Sequence, residues 1–280
     1  MAHQSPKNVE QAIETRFGAP PKTGAARLES GLLASMLERG SCRSFRDKAV
    51  DPAMLDILCA AALASPTKSD LQQRDIIFLH APEQRKKLAA LVPGQPWIAK
   101  APMIAVFCGN NRRQRLLHEW HDIPFANDHF DALFNAIADA AIALGAFVTA
   151  AEAIGLGCCP ISAVRNEAHS VSKMLNLPDH VFPLAGLAIG YPDAPPLISK
   201  RLPLHATCHT DRYQEANLQE TIQTYDAARA EAQPYSRQRL VEQFGLADDY
   251  AWSDDKVRQY SQPERADFGA YVRNKGFNLD

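Results

Sequence analysis

Two arginines and a serine stand close together in the stretch RGSCR, as Arg39, Ser41 and Arg43. We call these three residues the arginine fork. A guanidinium group is always charged and presents a planar set of donors that suits a phosphate group. Two such groups and a hydroxyl can surround phosphate oxygens with charge-assisted hydrogen bonds. Two surface arginines beside a helix-capping serine would give the same spacing, so the fork alone does not separate the two interpretations.

The chain as a whole is almost neutral. It has 280 residues, with 30 Lys and Arg against 32 Asp and Glu, and a formal net charge of −2. This balance predicts no binding of nucleic acid and no attraction to an anionic membrane. Its length fits one large domain with extensions, and its 46% apolar residues can form a substantial core. Any anion site must therefore be local, as the fork is.

The cysteines predict no disulfide scaffold and no metal site. They are scattered and form no CxxC pair, and no histidine cluster accompanies the neighbours Cys158 and Cys159. At this length and density, reduced thiols in the cytoplasm are expected. The N-terminus shows no signal-peptide pattern. The six residues are Cys42, Cys59, Cys108, Cys158, Cys159 and Cys208.

The fork lies between two predicted helices. The second of them starts with Asp51 as N-cap and Pro52 in the first turn. In all, helices are predicted near 9–17, 28–37, 51–64, 82–92, 131–154, 166–177, 216–231 and 263–275. Strands are predicted at 74–81, 102–109, 158–162 and 181–192, and a loop with helical parts at 110–130. Because strands and helices mix without a regular β-α-β alternation, the pattern predicts an α+β fold.

The alanine-rich segment 131–154 is apolar enough to raise the question of a membrane span. Its uninterrupted apolar run, residues 140–151, is shorter than the roughly 20 residues that hydrocarbon requires. Asp131 and Asp139 also interrupt the segment. It therefore predicts a helix buried in a core or a dimer interface rather than a membrane helix.

Together with the fork, three further stretches occur in an order that resembles the nitroreductase family of FMN proteins. They are ASPTKSDLQQRDIIFL at 64–79, AEAIGLGCCPISAVRN at 151–166 and LNLPDHVFPLAGLAIGYP at 175–192. The ending KRLPLHATCHTDRY at 200–213, with a helical tail containing WSD, resembles one branch most. That branch holds oxygen-insensitive NADPH nitroreductases and NADPH-flavin oxidoreductases. The resemblance covers about residues 28–213.

The resemblance implies an FMN site built by several segments. The residues implied at the phosphate and the adjoining ribityl chain are Arg39, Ser41, Arg43, Lys200 and Arg201. The residues implied along the ring and the ribityl group are Thr67, Lys68, Ser69, Gln95, Pro160, Ile161, Ser162 and Ala163. In the last four, backbone amides would face the N5 region of the flavin.

The chain departs from the family pattern at several of these positions. Gly40 stands where the branch usually has a second basic residue, and Lys68 could supply that charge. Ser162 and Ala163 replace a frequent Gly-Gly pair, so Ser162 would be strained if the turn required a positive φ. Pro160 has no N–H, so a donor toward the flavin must come from a later residue.

The resemblance implies an FMN-dependent NAD(P)H oxidoreductase with ping-pong, two-electron chemistry. The implied acceptors are nitroaromatics, quinones or flavins, and the basic pair Lys200–Arg201 favours NADPH over NADH. No catalytic side chain is predicted, because in flavoenzymes the cofactor carries the hydride chemistry. In agreement, the chain has no GxSxG, HExxH or Walker motif and no GxGxxG that opens a βαβ unit.

The implied architecture is an intertwined homodimer whose mixed central sheet is flanked by helices, with an FMN in each of two interface sites. Residues 1–27 would form an N-terminal arm, 28–213 the FMN-binding core, and 214–280 a helical extension that wraps the partner subunit. Two alternatives stay open. One is another reaction on this scaffold, such as flavin cleavage or reductive dehalogenation. The other is a non-catalytic FMN-binding protein.

Some residues of the middle region have two interpretations. Trp97 could stack on the flavin or belong to the core. His118, His121 and His129 could line a substrate entrance or lie on a surface loop. The cluster Arg112, Arg113 and Arg115 could hold a nicotinamide-cofactor phosphate or form a solvated face.

Overall fold

The computed structural model describes residues 9–19 and 31–280, which divide into two compact units. The sheet unit comprises residues 40–197 and 265–280. The tail unit comprises the described residues up to 39 together with 198–264. Most of the predicted N-terminal arm, and the start of the helix predicted at 28–37, lie outside the described residues.

Four strands form the sheet of the sheet unit. They are β1 (Arg74–Phe78), β2 (Met103–Asn110), β3 (Gly157–Ile161) and β4 (Val181–Gly190), in the spatial order β1-β2-β4-β3. All four strands were predicted from the sequence, and the α+β class is confirmed. Every pairing among them is antiparallel, so the described residues contain no parallel pair of the kind a mixed sheet has.

Most of the helices agree with the predicted ones. In chain order they are α1 (Val9–Phe17), α2 (Gly31–Glu38), α3 (Pro52–Leu63), α4 (Pro82–Leu91), α5 (Arg112–Trp120), α6 (Phe130–Ala153), α7 (Ala168–Leu175), α8 (Leu218–Ala232), α9 (Val241–Phe244), α10 (Trp252–Tyr260) and α11 (Phe268–Asn274). The start of α3 is as predicted, because the Asp51 side chain accepts a hydrogen bond from the Ala53 N–H at 2.9 Å. Helix α5 lies in the segment 110–130 that was predicted as a loop with helical parts.

The position of β2 in the sheet explains why its sequence is a continuous apolar run. All eight residues are buried, because helices cover both faces of the sheet. Met103, Ala105 and Phe107 face the core that α3 and α6 complete. Ile104 and Val106 face the opposite core, which includes residues of α4 and α7. Side chains of a strand alternate between its faces, so an apolar run is required when both faces are covered.

Helix α6 is the central helix of the sheet unit. It packs on α3 and on the strands and buries mainly small residues, such as Ala136, Ala140 and Ala143. By length and composition it is the one helix among the described residues that could cross a membrane. Its buried face closes a protein core, which is one of the two roles predicted for it. The other role, in a dimer interface, stays a prediction.

The C-terminal residues return to the sheet unit of their own chain. Tyr271, Val272 and Phe277 are buried beside Phe182 of β4, and the Tyr271 hydroxyl lies 2.6 Å from the Ser172 hydroxyl. The prediction that residues 214–280 wrap a partner subunit stays a prediction.

The thiols lie mostly in apolar surroundings. All six cysteines belong to the described residues, and none of them forms a disulfide. Burial raises the pKa of Cys108, in the middle of β2, to about 12. Burial also raises the pKa of Cys42. Both shifts favour the unreactive thiol over the thiolate.

Candidate functional site

The backbone that follows Gly40 lies along one end of the sheet. The N–H of Cys42 donates to the carbonyl of Cys158 in β3 at 2.9 Å, and the N–H of Arg46 donates to the carbonyl of the residue after β4 at 2.9 Å. These bonds fix two fork residues, the half-buried Ser41 and the exposed Arg43, at this end. The third member, Arg39, belongs to the tail unit.

Gly40 has a steric reason to be glycine. It is buried, and a Cβ at this position would lie 2.5 Å from the Leu197 carbonyl oxygen and 3.0 Å from the Pro196 Cβ. Side chains do not approach a backbone oxygen so closely. The second basic residue of the family pattern is therefore excluded here by the path of the main chain.

The structure brings Arg43 to the loop that holds Gln95. The Arg43 guanidinium carbon lies 5.9 Å from the ring centroid of Trp97, within the range of a cation–π contact. Trp97 is half-buried and packs against the core below. The carbonyl of the half-buried Gln95 accepts a hydrogen bond from the Ile98 N–H at 3.0 Å. Trp97 thus supports Arg43 as well as filling the core.

A buried carboxylate anchors the loop that carries Thr67, Lys68 and Ser69. Asp139 of α6 is 0% exposed. Its two oxygens accept hydrogen bonds from the N–H groups of Lys68, at 2.9 Å, and Gln73, at 2.8 Å. One side chain of the central helix therefore ties down both ends of the loop.

The anchored loop has an unusual backbone. Ser69, Asp70 and Gln72 adopt left-handed conformations, with φ of 48°, 56° and 52°. Each such non-glycine residue costs about 1 kcal/mol or more and persists where the surroundings impose it. Strain of this kind is concentrated at ligand sites, which agrees with the role that the family resemblance implies for the loop.

Two arginines of α5, Arg113 and Arg115, each form an ion pair with a carboxylate. Arg113 forms an ion pair with Asp75 at 2.6 Å, and Arg115 forms one with Asp128. The hydrogen bond from Arg115 holds the pKa of Asp128 below its usual value. These two arginines therefore stabilise α5 and its surroundings, and the structure does not favour the interpretation that they hold a cofactor phosphate.

Lys68 lines a polar cavity of about 310 Å³ between its loop and α5.

The segment Pro160–Ala163 passes from β3 into a 3-10 turn. Pro160 is exposed and Ile161 is buried at the end of the strand, and the turn spans Ser162–Arg165. Neither Ser162 nor Ala163 has a positive φ. The turn therefore needs no Gly-Gly pair, and the strain considered for Ser162 is absent. The first N–H groups of a helical turn have no acceptor within it, so those of Ser162 and Ala163 can face a ligand.

The tail unit contains a cavity of about 520 Å³ that we call the cation cavity. No carboxylate is among the described residues that line it. Tyr225, Tyr235 and Trp252 supply aromatic surface. The positively charged side chains are Arg16, Lys200, Arg201, Arg229 and Lys256. A cavity with this lining suits an anionic ligand with a planar apolar part.

The residues present fit a phosphorylated flavin. In the tail unit, Arg39, Lys200 and Arg201 are donors of the kind that a phosphate group requires. In the sheet unit, Ser41 and Arg43 are donors of the same kind. The anchored loop and the Ser162 turn add backbone and hydroxyl donors in the sheet unit. Among the described side chains, no hydrogen bond joins the Thr67–Ser69 loop to Gln95, so contacts within the protein do not link these two parts of the predicted set.

Two residues with a direct structural effect on predicted site residues were not predicted. Asp139 was noted only as a charge that interrupts an apolar helix, and Arg16 was not singled out. Both act over long sequence distances, since Asp139 binds loop residues 66 and 71 positions away. A charged residue on the buried side of a helix was the one available signal for Asp139.

Two models of known families match the chain. The model described as the nitroreductase family matches residues 36–191. The model described as the C-terminal domain of the nitroreductase family matches residues 199–280. The two matches together include every residue that the resemblance implied at the flavin.

Known proteins resemble the chain over most of its length. An FMN reductase [NAD(P)H] of Bacillus subtilis is 37% identical over 204 residues, which is 71% of this chain and 82% of that protein. An oxygen-insensitive NADPH nitroreductase of Salmonella typhimurium is 33% identical, over 68% of this chain and 78% of that protein. The solved structure of B. megaterium NfrA2 has a TM-score of 0.81 and 30% identity, and covers 90% of this chain and 99% of its own. Sequence order, fold and these relatives agree, and the chain belongs to the nitroreductase family.

Proposed function

We propose that this protein is an FMN-dependent NAD(P)H oxidoreductase. The observation that carries the proposal is the match to the nitroreductase family together with relatives named FMN reductase and NADPH nitroreductase. The chemistry supplied by bound FMN is the passage of two electrons from NAD(P)H to an acceptor. We propose nitroaromatics, quinones or free flavins as acceptors, in a ping-pong order.

The side chains of the protein bind and orient the cofactor in this proposal. Arg39, Arg43 and Arg201 neutralise the phosphate, and Ser41 donates a hydrogen bond to it. The rigid loop held by Asp139 positions Thr67, Lys68 and Ser69 along the ring and ribityl group. These assignments rest on the family resemblance, and the contacts described above support them.

The direct test is the visible spectrum of the protein without oxygen. We expect flavin bands that bleach on addition of NADPH and return when a nitroaromatic or a quinone is added. Bleaching without return would favour a different reaction on this scaffold, such as flavin cleavage or dehalogenation. Bound flavin that neither NADPH nor NADH bleaches would favour a non-catalytic FMN-binding protein. A protein that takes up no FMN would contradict the proposal.

A variant at the fork tests the site within the same experiment. In Arg43→Ala we expect the affinity for FMN to fall about 10- to 100-fold, because a charge-assisted hydrogen bond to the phosphate is lost. Arg46→Ala is a matched control, since Arg46 is exposed three residues further along. Equal FMN affinity in the Arg43 variant and the wild type would show that Arg43 does not bind the phosphate.

We further propose a homodimer in which α6 and α3 meet the partner subunit. The described structure exposes Phe134 by 55% and Ile142 by 42% on α6, and Ile57 by 69% on α3. Exposed apolar side chains on neighbouring helices are typical of an interface. Light scattering should give twice the chain mass for the wild type and a monomer for Ile142→Asp. Leu246→Asp, at a position 79% exposed in the tail unit, should stay dimeric. A monomeric wild type would refute the proposal.

Location in the cytoplasm is also a proposal. It is supported by six cysteines that form no disulfide. Finding the native protein in a secreted or periplasmic cell fraction would contradict it.

A further inference from the structure

Helix α1 lies outside the family pattern but carries a buried charge. The family model begins at residue 36, whereas α1 spans Val9–Phe17. Arg16, in its last turn, is only 5% exposed. Arginine is rarely buried unless its guanidinium has partners, because a charge loses much hydration energy on leaving water. The position of Arg16 therefore needs a physical explanation.

Arg16 joins the two segments of the tail unit that carry predicted phosphate-binding arginines. Its Nη1 donates a hydrogen bond to the main-chain carbonyl of Arg39 at 2.6 Å. Its own carbonyl accepts a hydrogen bond from the N–H of Arg201 at 2.8 Å. Arg39 and Arg201 are 162 positions apart in the sequence. A single residue of α1 thus links their main chains.

Arg16 is also part of the wall of the cation cavity, together with Lys200, Arg201 and Arg229. These like charges repel one another, and no carboxylate among the described lining residues compensates them. A bound anion would remove this repulsion.

We propose that Arg16 is a positioning residue for the cofactor phosphate and that α1 is an addition to the family site in this chain. By tying the Arg39 and Arg201 main chains together, Arg16 holds two phosphate-binding side chains in place before the ligand arrives. A preformed site loses less conformational entropy on binding. The ligand class is a phosphate monoester on a flavin, and the inference rests on the proposed function.

The test compares FMN with riboflavin, which lacks the phosphate, in the full-length protein. Quenching of flavin fluorescence gives both dissociation constants. In Arg16→Met we expect FMN affinity to fall about tenfold, because the alignment of charge-assisted hydrogen bonds is lost, and riboflavin affinity to stay unchanged. Arg16→Lys keeps the positive charge but lacks the planar set of guanidinium donors, so it should give a smaller loss of FMN affinity than Arg16→Met. Glu14→Gln, at an exposed position of the same helix, is the control.

Each result decides the proposal. If wild-type protein binds FMN and neither Arg16 variant changes its affinity, the positioning role is wrong and the proposed function stands. If both variants weaken FMN and riboflavin equally, Arg16 has a general structural role and the proposal is also wrong. If wild-type protein binds neither flavin, the proposed function and this inference both fail. Should Arg16→Met not fold, Arg16→Lys gives the same comparison.

Discussion

Replacing Asp139 with alanine is expected to cost about 4 kcal/mol of unfolding free energy, because the N–H groups of Lys68 and of the buried Gln73 lose a charged acceptor. The Asp139 oxygens bind the N–H groups of Lys68 and Gln73, and the side chain is fully buried. Water is therefore unable to replace it without opening the core. Such a loss is a large part of the 5–15 kcal/mol that stabilises a typical domain.

The same change is expected to weaken FMN binding at least tenfold. The loop between Lys68 and Gln73 contains three left-handed residues, which only its surroundings can maintain. Without Asp139 the loop should relax to more common backbone conformations, and Thr67 and Ser69 would lose their fixed positions. Urea unfolding and flavin-fluorescence titration measure the two effects.

Two other variants complete this experiment. Asp139→Asn keeps one carbonyl acceptor but places an NH2 group against the other N–H, so we expect a loss of about 2 kcal/mol. Asp131→Ala removes an exposed carboxylate from the same helix and should cost less than 1 kcal/mol. An Asp139→Ala protein as stable as the wild type would show that the carboxylate does not anchor the loop.

Most of the fold could be predicted because its elements have strong local signals. Strand β2 is a continuous apolar run, and α3 begins with Asp51 and Pro52. Helix α5 lies in the stretch 110–130 that was predicted as a loop with helical parts, and its extent was not predicted because its sequence, RRQRLLHEW, is mostly polar. Ion pairs such as Arg113–Asp75, which join residues 38 positions apart, stabilise it. Helix α10 is similar, since its buried residues are the charged Asp255 and Arg258.

The candidate site could be predicted only as a set of segments. The order of the motifs places Ser41, Arg43 and Gln95 in the family pattern, but it does not show how the chain supports them. The support comes from tertiary contacts that no local pattern encodes, such as the Arg43–Trp97 contact. Gly40 shows the limit most clearly. From the sequence it is a missing charge, whereas in the structure it is a point of close backbone approach.

This difference leads to a prediction for Gly40→Arg, the substitution that would restore the basic residue of the family pattern. If Gly40 were only a missing charge, the arginine would strengthen FMN binding. The structure predicts the opposite result. The new Cβ would lie 2.5 Å from the Leu197 carbonyl oxygen, and a main-chain oxygen is not able to rotate away as a side chain would. The backbone of residues 39–41 must therefore move.

We expect Gly40→Arg and Gly40→Ala to lose about 2 kcal/mol of stability each, as overpacked sites typically do, and to bind FMN about tenfold more weakly. Equal losses of stability and FMN affinity in the two variants would assign the effect to the steric conflict, because alanine adds the Cβ without the charge. Gly31→Ala is the control, because Gly31 is exposed at the start of α2 and its added Cβ meets no atom of the described structure within 4 Å. FMN titration and urea unfolding of the three variants provide the comparison. Tighter FMN binding by Gly40→Arg than by the wild type would mean that the main chain at Gly40 can yield, and that charge at this position decides the affinity.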